Sequence, residues 1–136
     1  MTSLAKIFFW GYVLMLIGVG ASGTLIARWE LRTVFDVPLD GFTELVQATL
    51  LNQYRFLKAI ELAFGIFCLV YRREIFDRTT MHRVFLAGLF AGVAARLGSW
   101  LIDGTPKPVF LMFAVLELVT GLLVWLVVAR RRGATA

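Results

Sequence analysis

LLNQYRFLKAIELAFGIFCLVY, residues 50–71, decides the fold: it is long and apolar enough for a lipid bilayer, yet it carries Arg55, Lys58 and Glu61. As a helix rising 1.5 Å per residue it reaches about 33 Å, which matches a hydrocarbon core of about 30 Å. Charges at that depth are expensive and persist where they face protein or water, usually paired. At 100° per residue, Asn52, Arg55, Ala59 and Leu62 share one face, whereas Lys58, Glu61 and Gly65 share another. Lys58 and Glu61 are therefore placed to pair within the helix, and Arg55 must find a partner elsewhere.

The rest of the chain has the same character. Of 136 residues, 60% are hydrophobic and 17% charged, and the mean hydropathy is +0.81; this excludes an ordinary water-soluble domain. The spacing predicts an all-α fold, a four-transmembrane-helix bundle with helices over about 7–27, 50–71, 82–102 and 108–129. These four leave no room for a soluble domain, so residues 1–136 form a single integral membrane domain. The first span, preceded by Lys6 and ending near Ala21, Ser22 and Gly23, also fits a secretory signal; the run continuing through Leu25, Ile26 and Ala27 favours a retained helix. Its Gly11, Gly18 and Ser22 fall on one face and suit close helix packing. The connection from Arg28 to Thr49 holds the turn-rich Asp36-Val37-Pro38-Leu39-Asp40-Gly41 and a short segment, Phe42 to Leu50, suited to lie in the interface as a helix; as the longest loop in the chain it is expected to cap one end of the bundle, with a substrate lid as the alternative.

The third span places Gly88, Gly92, Arg96, Ser99 and Asp103 within an arc of about 80°, and the fourth carries Glu117, Thr120 and Gly121 on one face, after Pro106 and Pro108. Lys6, Arg72, Arg73, Arg78, Arg83 and the Arg130-Arg131-Arg132 tail fall on one side, against Arg28, Arg32 and Lys107 on the other. The positive-inside rule then puts both termini in the cytoplasm, with Trp10 and Trp125 at the inner interface and Trp29 and Trp100 at the outer. Counted from the outer ends, Arg55 and Arg96 lie roughly 8–9 Å deep, and Glu117 and Glu61 roughly 14–17 Å deep. The short loop between the third and fourth helices makes them neighbours, so Arg96 with Glu117 is the first expected pair. Asp103, at the mouth, is placed to hold Arg55 or Arg96 from above. The expected result is a polar cavity, or a cluster of ion pairs, in the outer half of the bundle.

Asn52-Gln53-Tyr54-Arg55-Phe56 with Gly65, then Ala95-Arg96 with Ser99, Asp103-Gly104 and Pro106, then Glu117-Leu118, resembles a bacterial four-helix inner-membrane family catalogued as domain of unknown function 4345. The resemblance covers about Leu50 to Leu126, and the first helix fits only as a generic apolar span. It implies a multi-pass protein of the bacterial inner (cytoplasmic) membrane and singles out Asn52, Arg55, Arg96, Asp103 and Glu117. It implies no activity, substrate or cofactor.

Several chemistries fall away. The net charge of +5 comes from basic residues flanking apolar segments, so membrane lipids rather than nucleic acid are the expected partner. The one histidine, His82, cannot by itself build a bis-histidine haem or a His-rich metal site. The one cysteine, Cys68, forms no intrachain disulfide, and no Ser-His-Asp set or phosphate-binding glycine loop is present. No cofactor, metal or catalytic role is expected. The leading reading is a non-enzymatic membrane protein binding a small anionic or lipid-like ligand through Asn52, Arg55, Arg96, Ser99, Asp103 and Glu117. The alternatives are a structural or accessory subunit of a larger membrane complex, and a small oligomeric proton-coupled transporter with Glu61 as a proton relay. The plainest account of the charges is that they snorkel or staple helices and fix register.

Overall fold

The computed structural model describes residues 2–77 and 79–133, with side chains through residue 130. Arg78 and the side chains of Arg131 and Arg132, counted above in the charge asymmetry, lie outside the described residues. The described residues form helices and no strand: α1 (Thr2–Leu25), α2 (Ala27–Thr33), a 3-10 turn (Leu39–Gly41), α3 (Glu44–Val70), α4 (Arg72–Ile75), α5 (Thr80–Asp103) and α6 (Pro108–Gly133). Two compact units divide the chain, one of Met1–Tyr12 with Cys68–Ala136 and one of Val13–Phe67.

Three helices, α1, α5 and α6, are long and apolar enough to cross a membrane. α3, read from the sequence as a further span, has the length with 27 residues, but Arg55, Lys58 and Glu61 remove it from that set. Its start also differs from the expected position near Leu50. The chain becomes helical at Glu44, because the Thr43 hydroxyl accepts the Val46 N–H at 3.4 Å and Glu44 places negative charge in the first turn, where the helix dipole favours it. Most of the supposed interfacial segment is thus the opening of α3. The first span likewise ends at Leu25, and the chain turns at Ile26 into the separate α2.

The outer faces of the helices show which solvent this fold suits. Leu101 and Ile102 are 88% and 84% exposed, and Ile7, Leu14, Phe56, Ile60, Ile66 and Met112 are exposed too. Glu30, Lys58, His82, Glu117 and Thr120 are buried instead. A water-soluble helix shows the reverse distribution, and apolar surface on this scale marks contact with lipid or protein.

In the unit of Val13–Phe67, small residues bring α1 against α3. A Cβ on Gly20 would stand 2.6 Å from the Leu62 backbone nitrogen, and one on Gly65 would stand 2.9 Å from Ile17. Ala27, Leu31, Leu39 and Leu51 form an apolar core beneath the connecting segment, with Phe35, Val37 and Tyr54 packed on it. Asp36 takes a positive φ of 53°, a conformation that Asp tolerates better than most residues, and the Val37 N–H returns to the Leu31 carbonyl at 2.9 Å.

In the other unit, Phe9 packs edge-on against Phe76 and Phe85, with ring centroids 5.2 and 5.7 Å away, tying the start of α1 to α4 and α5. Thr79 caps α5, and the buried His82 donates from Nδ1 to the Ile75 carbonyl at 2.7 Å. Gly104, with φ of 97°, ends α5 in a conformation reserved largely for glycine. Four residues later Pro108 opens α6, and the two helices pack along each other.

Gly20→Ala is expected to lower the thermal stability of the detergent-solubilised protein, by about 1–3 kcal/mol, since backbone rather than a flexible side chain must move. Gly18→Ala on the same helix meets nothing within 4 Å and is expected to melt no lower than the native chain. Equal melting of the two variants would contradict the close α1–α3 approach.

Candidate functional site

The described structure holds two groups of buried charge, one in each compact unit. The first is built around α2, whose Ala27, Glu30 and Leu31 share one buried face at helical spacing. The Glu30 carboxylate accepts the Tyr54 hydroxyl at 2.7 Å and the Ser22 hydroxyl at 3.3 Å. One helical turn along α3, Lys58 donates from Nζ to Glu61 Oε2 at 2.8 Å, and its ammonium sits 5.2 Å from the centre of the Tyr54 ring. Gly23 makes the assembly possible: a Cβ there would stand 2.5 Å from the Lys58 stem and 2.7 Å from Glu30 Oε2. Two carboxylates and one ammonium sum to a formal charge of −1, with Lys58 paired to Glu61 and Glu30 held by hydroxyls. Chemically, that balance admits one further positive charge, and the hydrogen bonds fix the register of α3 against α1 and α2.

The second group joins α5 to α6. Arg96 donates from Nε to Glu117 Oε2 at 3.1 Å and from Nη2 to Glu117 Oε1 at 3.3 Å, a fork on a carboxylate that is itself buried. Gly92, one turn earlier on α5, lies beside that carboxylate, where a Cβ would stand in ordinary van der Waals contact with Glu117 Oε2 at 3.5 Å. The guanidinium carbon is 5.8 Å from the centre of the Phe113 ring. Of the five N–H donors of an arginine, two are used on Glu117 and three remain.

Those remaining donors matter because Arg96 also lines a cavity of about 370 Å³, walled by Ser99, Trp100, Pro106, Phe110 and Leu111. The Trp100 indole N–H donates to Thr105 at 3.2 Å, which holds one wall in place. The combination is a mostly apolar pocket with a planar, partly satisfied cation at its edge. Such a pocket suits an amphipathic anion better than a small hydrophilic one. Among the described residues, no cluster of His, Cys, Asp or Glu side chains is arranged to hold a metal ion.

The residues singled out by sequence thus fall into different places. Arg96 and Glu117 meet as the short connection requires, and Ser99 lies in the same pocket wall as Arg96. Asp103, expected to hold an arginine from above, instead accepts the Ser99 hydroxyl at 2.8 Å from one turn back on its own helix, a local partner that costs less ordering than a distant guanidinium. Asn52 and Arg55 belong to the other unit, where they line a separate cavity of about 690 Å³ with Arg28, Glu44 and Gln47. Glu61 is engaged by Lys58, as its spacing implies. Glu30, Tyr54 and Gly23 were missed. Glu30 stands in what reads as loop beyond the first span, and the available signal was the Ala27, Glu30, Leu31 spacing of an amphipathic turn.

Apolar outer faces, two groups of buried charge and, among the described residues, three helices long and apolar enough to cross a bilayer define the class: a helical membrane protein. The chain belongs to the family described as Domain of unknown function (DUF4345), which matches residues 4–128. No curated protein and no solved structure matches it.

Two sets of variants probe these groups. Arg96→Leu strands a buried carboxylate and is expected to cost about 3–5 kcal/mol in thermal unfolding, whereas Arg96→Leu with Glu117→Gln recovers most of it. Native melting of the Arg96→Leu variant would rule out the contact. For the other group, Glu30→Leu and Tyr54→Phe are expected to be non-additive, with a coupling of about 0.5–3 kcal/mol. Strict additivity would show that the hydroxyl and carboxylate do not bond.

Proposed function

We propose that this protein is a non-enzymatic, four-span protein of the bacterial inner membrane, with both termini cytoplasmic, that holds an amphipathic anion beside Arg96. Support for α3 as the fourth span comes from its outward side chains: Phe56, Ile60, Ile66 and Val70 are exposed and apolar, while Lys58 is buried and paired with Glu61. Averaging hydropathy along α3 counts three charges against it: Lys58 and Glu61 answer each other within the helix, and Arg55, which is exposed, lies in the outer half of the proposed span, within reach of the interface for a long side chain.

The single observation that carries the ligand is the cavity against Arg96. Its volume of about 370 Å³ lies within the range of about 300–1,000 Å³ usual for small-molecule sites. Glu117 aligns the guanidinium from one edge and offsets its charge, so a ligand head is recognised by directed N–H donors more than by net attraction. A carboxylate or phosphate monoester would meet those donors, and its apolar tail would lie along Trp100, Phe110 and Leu111.

Native mass spectrometry of the protein extracted gently from its own membrane tests this reading. A discrete small mass is expected with the native chain and is expected to be lost from the Arg96→Leu, Glu117→Gln double variant, chosen because it avoids a stranded charge. An empty native protein would overturn the ligand. A bound polypeptide in place of a small molecule would make the chain an accessory subunit of a larger complex.

A further inference from the structure

Near the start of α5, some 16 residues and about 24 Å along the helix from Arg96, the unit of Met1–Tyr12 and Cys68–Ala136 carries a second, different cavity. It measures about 400 Å³ and is ringed by Lys6, Trp10, Arg72, Arg73 and Asp77. Lys6 and Trp10 are four residues apart on α1 and so lie on one face, while Arg72 and Arg73 open α4. The floor is aromatic: Phe9, 1% exposed, is locked against Phe76 and Phe85. Three cations and one carboxylate give this cavity a formal charge of +2. Arg72 donates from Nη1 to the Leu69 carbonyl at 3.1 Å, which fixes its direction, and neither Lys6 nor Arg73 forms an ion pair with the described residues.

Three basic side chains, mutually repulsive, gathered at a rigid aromatic floor need an anion with more than one acceptor oxygen to be satisfied together. A phosphate supplies that: guanidinium forks take its oxygens in pairs, and the lysine ammonium adds a point charge. Trp10, half embedded at 39% exposure, has the amphipathic ring that settles at headgroup level. The same end of this unit repeats the theme in a neighbouring cavity, where Arg83 and Trp125 stand beside Thr79 and His82. Basic pockets beside membrane-crossing helices gain about fivefold in affinity for an anionic surface per Lys or Arg.

We propose that the Lys6, Arg72 and Arg73 cavity binds the phosphate of an anionic phospholipid headgroup, with Trp10 resting against the headgroup's glycerol region. This site is independent of the Arg96 pocket in position and in chemistry: it is charged and open, whereas the other is mainly apolar and charge-balanced.

The test titrates the full chain in neutral-detergent micelles with short-chain phosphatidylglycerol, and separately with short-chain phosphatidylcholine, following binding by native mass spectrometry. The native protein is expected to prefer phosphatidylglycerol, and the Lys6→Gln, Arg72→Gln, Arg73→Gln triple variant is expected to lose that preference, at about fivefold in affinity per cation. A Lys6→Arg, Arg72→Lys, Arg73→Lys variant keeps the charges and is expected to retain it, which separates loss of the site from loss of the fold. Inorganic phosphate identifies the source: failure to compete supports the lipid headgroup, and full displacement by phosphate alone would overturn the lipid in favour of a soluble phosphate. Equal binding of the two lipids by the native chain, or an undiminished preference in the triple glutamine variant, would overturn the site itself. The Arg96→Leu, Glu117→Gln variant is expected to keep the phosphatidylglycerol preference that depends on Lys6, Arg72 and Arg73 and to lose at most an adduct held beside Arg96, so failure of either site is read separately.

Discussion

A carboxylate buried in an apolar helical protein must be answered by a donor from the same protein, and this constraint organises both units of the chain. Glu117 is answered by a guanidinium from the adjoining helix, and Glu30 by the hydroxyls of Tyr54 and Ser22. Such contacts are poor sources of net stability, because desolvation offsets much of the Coulomb gain. Their value is directional. An apolar helix can rotate or slide against another apolar helix at little cost, whereas a fork on a buried carboxylate permits one register. Gly23 serves the same end from the packing side, admitting the Lys58 stem where a Cβ would collide with it.

How far the sequence discloses this depends on the distance over which each feature is determined. Helices α5 and α6 and their joint could be read almost directly, since Gly104, Pro106 and Pro108 are local signals and the Arg96–Glu117 contact follows from a short connection. Lys58 with Glu61 was equally local, set by helical spacing alone. The start of α3 was misplaced because hydropathy finds the apolar stretch, while a helix starts at its cap, here Thr43, among polar residues. Asp103 was assigned a distant guanidinium when a hydroxyl one turn away was available. Glu30 escaped notice for a different reason: its partners come from α1 and α3, and the short helix that presents it is too brief for periodicity to declare itself within a turn-rich connection. Membership of the family described as Domain of unknown function (DUF4345) accords with the motif residues around Arg55, Arg96 and Glu117.

The two cavities of the larger unit, lined by different helices, offer an anion two different surroundings. Around Arg96 the cation is already matched by Glu117 and the walls are aliphatic and aromatic, so the proposed recognition would rest on shape and on the direction of three N–H groups. Around Lys6, Arg72 and Arg73 charge is left in excess, and the proposed recognition would rest on its density. The first arrangement would discriminate among tails as well as heads; the second would respond to the charge of the surface beside it, and weaken as salt screens that charge.

The close seating of Lys58 over Gly23, with Tyr54 bonded to Glu30, also bears on how the chain is made. An isolated α3 would present Arg55, Lys58 and Glu61 to the insertion machinery, where a Lys or Arg at the centre of a helix costs about 2.5–3.5 kcal/mol. Glu61 can answer Lys58 from within α3, but Tyr54 finds its acceptor on α2, and the lysine stem finds its bed on α1. With α3 as the proposed fourth span, its polar side chains find these partners only once α1 and α2 lie beside it, so insertion of α1, α2 and α3 as one hairpin would spare the cost that α3 would meet alone.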